Sequence, residues 1–320
     1  MHLTSPFLFK PVTNRFKNAI DIPFESWLVS LLLFLSLGVS GQSSPKSIFI
    51  DTVPTLISSQ FSFTEGPAVD RQGNVFFTDQ PNNKIWRYGI DGKLSVFLDN
   101  AGRSNGMYFD RAGNLITCAD EKNELWSIDP KGKITVLLKD FKGHRFNGPN
   151  DVWLDSKDGA WFTDPYYQRN YWQRKAPDSG IGGQKLYYLA KGKTEAVVVD
   201  DKFKQPNGII GTPDGKYLFV SDIGAGIIYK YKINIDGNLT DRQAFVKDVA
   251  DGLTLDSKGN LYLAGKGVTV YDRSGNKIGH VDIPAGWTAN VCFGGAKREL
   301  LFITASQSVY IMRMNVKGGY

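Results

Sequence analysis

Six side chains that carry oxygen stand at the head of one recurring phrase: Glu65, Asn105, Asn150, Asn207, Asp251 and Asn290. Each opens a short, mostly apolar run, then a turn, then a second apolar run, as in EGPAVDRQGNVFFTD from Glu65 and NDVWLDSKDGAWFTD from Asn150. Two carboxylates and four amides drawn to one place repel each other or go unsatisfied unless a partner joins them. A hard divalent cation is such a partner, because oxygen-only donor sets suit hard ions. The chemistry to expect is therefore that of an all-oxygen metal site.

The elements that would bring these residues together follow from the spacing. Successive opening residues lie 40, 45, 57, 44 and 39 residues apart, the size of one four-stranded propeller blade. Each phrase reads as a hairpin whose Gly and Asn supply the positive φ of a tight turn. A second strand pair follows, such as Lys84–Tyr88 with Leu94–Leu98, and Glu124–Ile128 with Ile134–Leu138. After residue 45 no long apolar pattern of period 3.6 appears. The expected fold is all-β, a six-bladed β-propeller over 42–320. Its first strands line a central channel. Equivalent positions on those strands then form a ring at one mouth of the channel.

Residues 1–41 read differently. Lys10, Arg15 and Lys17 precede the apolar run Trp27 to Val39, and Ser40-Gly41-Gln42 follows. That order is expected of a cleaved export leader, since the run is short for a membrane span; retention as an anchor is the alternative. The mature chain would start near Gln42 and be periplasmic or secreted, with no stable membrane association once cleaved. The two cysteines, Cys118 and Cys292, fall on blades that are not neighbours, so they read as buried apolar residues rather than a disulfide. The formal charge is +6 with scattered bases, which gives no footprint for nucleic acid. A monomer or weak oligomer is expected.

Separate motifs carry a family resemblance: Thr64-Glu65-Gly66-Pro67, the run from Arg145 to Asp151 (RFNGPND), Phe162-Thr163-Asp164-Pro165, Gln205-Pro206-Asn207-Gly208 and Ala250-Asp251-Gly252. On these the chain resembles the senescence marker protein-30/gluconolactonase/luciferin-regenerating-enzyme family, over about residues 60–310. The resemblance implies one divalent cation at the channel mouth, held by Glu65, Asn150, Asn207 and Asp251. It implies Asp251 as general base and Arg145 as the arginine that contacts substrate. Some relatives place that arginine three residues before the Asp of the Asn-Asp pair, whereas Arg145 lies six before Asp151. Ca2+ is the favoured ion, then Mg2+ or Mn2+; the absence of Cys and His counts against Zn2+, the last candidate.

Asn105, Asn150 and Asn290 are expected to contact substrate hydroxyls. A second in-phase set, Asp79, Asp120, Asp164 and Asp222, reads as turn aspartates, with Asp164 the best exception. The loop after the second strand of blade 3, Pro165 to about Gln184, holds Tyr166, Tyr167, Arg169, Tyr171, Trp172 and Arg174 beside the ring. His144 neighbours Arg145 and is a candidate proton shuttle. No Ser-His-Asp set with a nucleophile elbow appears. The expected function is metal-dependent hydrolysis of a sugar lactone to the aldonate. The alternatives are hydrolysis of another ester or a phosphotriester at the same site, and a non-catalytic ligand-binding propeller with a structural metal.

Overall fold

A computed structural model describes residues 47–235 and 237–320. The leader expected over 1–41 lies outside the described residues. The remainder folds as six sheets of four strands each. In blade 1 the order from the channel outwards is Thr64–Val69, Val75–Asp79, Lys84–Tyr88 and Leu94–Asp99, all antiparallel. Blades 2 to 5 repeat this plan in chain order.

Blade 6 departs from it. Three of its strands are Thr288–Gly294, Leu300–Ala305 and Ser308–Arg313, and the outermost is Thr55–Ser58 from the start of the propeller. Thr55 pairs with Ile311 and Leu56 with Tyr310. Arg313 chelates Asp51 Oδ1 through Nε and Nη2 at 2.9 and 2.7 Å beside that seam. The ring is thus closed by both ends of the described chain.

The hairpin turns are fixed by their own side chains. Asp70 Oδ1 accepts from Gly73 N and Asn74 N, each at 2.9 Å, and Asn74 Nδ2 returns a bond to Asp70 Oδ2 at 2.7 Å. Asp110 with Asn114, and Asp256 with Asn260, do the same. These Asx-type bonds let the backbone reverse without help from a neighbour. Blades then pack face to face through aromatic side chains. Phe76 meets Phe109 at 5.1 Å, Phe77 meets Phe302 at 5.4 Å, and Tyr262 meets Phe293 at 5.2 Å between ring centres. Each such buried ring contributes about 1.5–3 kcal/mol. Cys118 and Cys292 are buried and free, as the sequence led us to expect.

Candidate active site

The innermost strands approach closely at one mouth, and the backbone there sets the ring. Gly106 N donates to Asn150 O at 2.7 Å, Gly208 N to Asp251 O at 2.7 Å, and Gly252 N to Ala289 O at 2.8 Å. Gly66 has φ +44°, and a Cβ on it would lie 1.9 Å from Asn105 O. The residue after each ring position is therefore mostly glycine, because the next blade leaves no room for a side chain.

This bonding pattern corrects one expectation. The acceptors Asn150, Asp251 and Ala289 are equivalent, so the ring position of blade 6 is Ala289 and not Asn290. Asn290 instead matches Asp151. Asn290 Oδ1 accepts from Val291 N at 2.8 Å, just as Asp151 Oδ1 accepts from Val152 N at 2.9 Å. One residue along a strand moves a side chain to the other face. Asn290 accordingly turns away from the ring, hydrogen-bonds to Asp151, and lines the channel below.

The other five ring residues converge. Glu65, Asn105, Asn150, Asn207 and Asp251 line one cup of about 210 Å3 with Phe63, Tyr167, Arg169, Ile223 and Trp287. Glu65, Asn105, Asn150 and Asn207 are buried, and Asp251 is half-buried. Burial pushes the Glu65 carboxyl well above its usual range, and the facing Asp251 adds to it; the Gly66 N–H and Arg169 oppose the shift. Burial also raises Asp251, against the Trp287 N–H, Arg169 and Asn207. Trp287 Nε1 donates to Asp251 Oδ2 at 2.7 Å. Below the cup, burial lifts Asp151 to about 7 although Val152 N and Ile209 N both donate to it.

Two carboxylates forced together in a buried cup are the electrostatic signature of a cation site. Among the described residues no three His, Cys, Asp or Glu side chains cluster for a metal. Two carboxylates with amide oxygens nevertheless form a donor set that hard cations accept. Asn207 Nδ2 donates to Tyr167 Oη at 2.9 Å, which leaves the amide oxygen of Asn207 as its spare donor. The residues fit a hard divalent ion.

Arg145 is not brought to the cup. Its Nη2 donates to Ala176 O at 2.6 Å, and its Nη1 reaches Asn123 Oδ1 at 3.4 Å. Arg169 from the blade-3 loop lines the cup instead, stacked over Tyr167 at 4.7 Å. Burial works against its charge, but Asp120, Tyr171, Asp251 and Glu65 together outweigh it and hold Arg169 protonated. His144 pairs with Asp178 at 3.1 Å at the exposed rim of the protein, away from the cup. Sequence reasoning missed Phe63 and Trp287. Once Ala289 is the ring position, both stand two residues before the ring, so one phase relation identifies the pair.

The profile of the SMP-30/Gluconolactonase/LRE-like region matches residues 63–307. The chain belongs to that family. A gluconolactonase from Zymomonas mobilis is 26% identical over 317 residues, spanning 88% of this chain and 88% of that protein. The solved structure of a gluconolactonase from Xanthomonas campestris superposes with a TM-score of 0.77 at 27% identity, covering 84% of this chain and 91% of that one. A calcium-binding regucalcin from Agrobacterium tumefaciens gives 0.71 at 19% identity over 83% of this chain and 95% of that one, which speaks to the fold alone.

Proposed function

We propose that the protein is a metal-dependent lactonase that opens sugar lactones to aldonates, with glucono-1,5-lactone the leading substrate. The observation that carries this reading is the cup itself. Two carboxylates and three amides share about 210 Å3 with a charged arginine and three aromatic side chains, Phe63, Tyr167 and Trp287, on a chain of this family. The gluconolactonases that it resembles support the choice of substrate.

Glu65, Asn150, Asn207 and Asp251 would hold a divalent ion, Ca2+ favoured. Such an ion supplies Lewis acidity toward the lactone carbonyl and stabilises charge on its oxygen. Asp251 has a second duty. Trp287 pins its Oδ2, and the other oxygen takes a proton from the attacking water. The water oxygen bonds to the carbonyl carbon, the ring C–O bond breaks, and the departing oxygen takes the proton as a hydroxyl. Arg169 and Asn105 bind substrate hydroxyls, while Phe63, Ile223 and Trp287 wall off bulk water.

The test is a pH-indicator assay of the purified domain on a lactone panel, with and without chelator. Opening a lactone to an aldonate releases a proton. Turnover that disappears with chelator and returns with Ca2+ is expected; turnover indifferent to chelator refutes the metal, and none on any lactone refutes the lactonase. We further propose export, supported by the composition of residues 1–41. N-terminal sequencing should find a start near Gln42, and Met1 on a membrane-bound species would refute it.

A further inference from the structure

Three blades end their second strand on an aspartate, and all three aspartates have the same task. Asp79 accepts from Ser62 N and Phe63 N at 3.1 and 3.3 Å. Asp164 accepts from Asn147 N and Gly148 N at 3.0 and 2.8 Å. Asp222 accepts from Lys204 N and Gln205 N at 3.0 and 2.9 Å. Each clamps the backbone just ahead of its own ring residue. Asp164, which the sequence singled out as the exception, follows the rule.

Asp120 breaks it. In blade 2 the corresponding amide, Arg103 N, is taken by Asn83 Oδ1 at 2.7 Å. The Asp120 carboxylate, one residue beyond the clamp position, holds none of the amides ahead of Asn105 among the described residues, yet it is buried. It is occupied from above. Gln80 Nε2 donates to Asp120 Oδ2 at 3.0 Å. Arg174 Nη2 pairs with Oδ1, and Arg169 Nε lies 3.4 Å from Oδ2. Both arginines come from the blade-3 loop. Arg174 also donates to Asn147 O and to Asp120 O, and lies over Trp172 at 5.2 Å. The loop is thus strapped from blade 3 to blade 2 at one carboxylate.

Arg169 differs from Arg174 in what it leaves unspent. Among the described residues its guanidinium makes no hydrogen bond; only Asp120 lies within ion-pair distance of it, and it stacks on the Tyr167 face. Its donors face a cup whose substrate must supply the acceptors. A bare lactone ring offers only its ester oxygens, whereas a sugar lactone also offers hydroxyls. A site built to bond a hydroxyl discriminates strongly against an analogue without one.

We propose that Asp120 is a positioning residue. Through Arg174 it straps the blade-3 loop over the cup, and through Arg169 it sets the guanidinium that selects hydroxylated lactones. This rests on the lactonase reading above. The test compares Asp120→Asn, which keeps the shape and removes the charge, with Asp79→Asn, a buried carboxylate that clamps backbone amides and not the loop. For Asp120→Asn, KM for glucono-1,5-lactone should rise about tenfold, the worth of one charge-assisted bond. The loss should fall on KM rather than kcat, and KM for unsubstituted δ-valerolactone should not move. Trypsin should cut at Arg169, Arg174 or Lys175 about tenfold faster, since opening of the loop then lacks its anchor. Asp79→Asn should lower Tm without separating the two lactones. An unchanged KM, or an equal rise for both lactones, overturns the proposal. If the wild type opens neither lactone, the lactonase reading fails, and the trypsin comparison still decides whether Asp120 holds the loop. Should Asp120→Asn not fold, Arg174→Gln removes the same link from the loop side; normal cleavage and normal KM in that variant also overturn it.

Discussion

The two mouths of the channel are made by the same six strands, yet only one gathers two carboxylates with three amides. At the upper mouth Glu65, Asn105, Asn150, Asn207 and Asp251 turn oxygens into a cup beneath Arg169. At the lower mouth a cavity of about 240 Å3 is walled by Met107, Phe109, Ile210, Leu255 and Phe293, with Arg298 and Tyr320 also in its lining. Asp151 and Asn290, bonded to each other, belong to the lower side although each follows a ring position directly. The difference teaches that the repeat supplies the scaffold, while one step of strand register decides which mouth a side chain serves.

The largest effect expected at the upper mouth is that of Asp251→Asn. It should lower turnover by about 10²–10⁴, the worth of a positioned general base, while weakening the metal only modestly. Glu65→Gln should instead lose affinity for the ion, so its activity recovers at high metal concentration and that of Asp251→Asn does not. Equal recovery in metal titrations of both variants would make Asp251 a ligand alone.

Next in size is the contrast between two arginines. Arg169→Ala should raise KM for a sugar lactone about tenfold, the worth of a bond to a charged donor. Arg145→Ala, whose side chain is spent on Ala176 O, should leave KM near that of the wild type. The reverse order in steady-state kinetics would restore Arg145 to the site.

A smaller effect is one of stability. Glu65 and Asp251 are raised above the usual carboxylate range, and Asp151 to about 7. A group with a raised folded pKa binds more protons in the native state. Its contribution is therefore full below the unfolded value and is lost as pH rises through the folded one. In chelator, thermal unfolding between about pH 4 and about pH 7 should show the wild type losing stability relative to Glu65→Gln. Added divalent ion should remove that difference. A wild type that gains on the variant as pH rises would contradict the buried-pair electrostatics.

The smallest effect is expected at the lower mouth. Ile210→Val should cost about 0.5–1.5 kcal/mol and leave KM unmoved, as for a wall without a ligand. A shift in KM would mean that the two mouths communicate.

The sequence displayed most of this arrangement because the repeat is written in local bonds. The Asp70 and Asp110 turns, and the glycines after Glu65, Asn105, Asn207 and Asp251, each answer a constraint within a blade or between neighbouring blades. That sufficed for six blades and for five ring residues. Blade 6 misled because Ala289 has no polar group and Asn290 beside it does, so matching by oxygen slipped the register by one. Arg169 could not be preferred over Arg145 from spacing, since a long loop carries no periodicity. Asp120 looked like Asp79 and Asp164 because matching by carboxylate again slipped the register by one; the equivalent position in blade 2 is Ala119, and Asn83 takes the amide there. The seam between Thr55–Ser58 and Ser308–Arg313 left no mark, because it joins segments from opposite ends of the fold.

That seam also orders events in time. Loop-closure entropy must be overcome before a pairing between distant segments gives anything back, and pairings of this kind form slowly. Trp287 and Ala289, which complete the rim around Asp251, belong to the same last blade that the early strand clasps. As the chain emerges, blades 1 to 5 can each zip locally, yet Glu65 and Asp251 have no fixed separation until the circle shuts. Affinity for the proposed ion would therefore arrive late and all at once. A divalent ion that binds only the closed form would act as a latch on the final folding step.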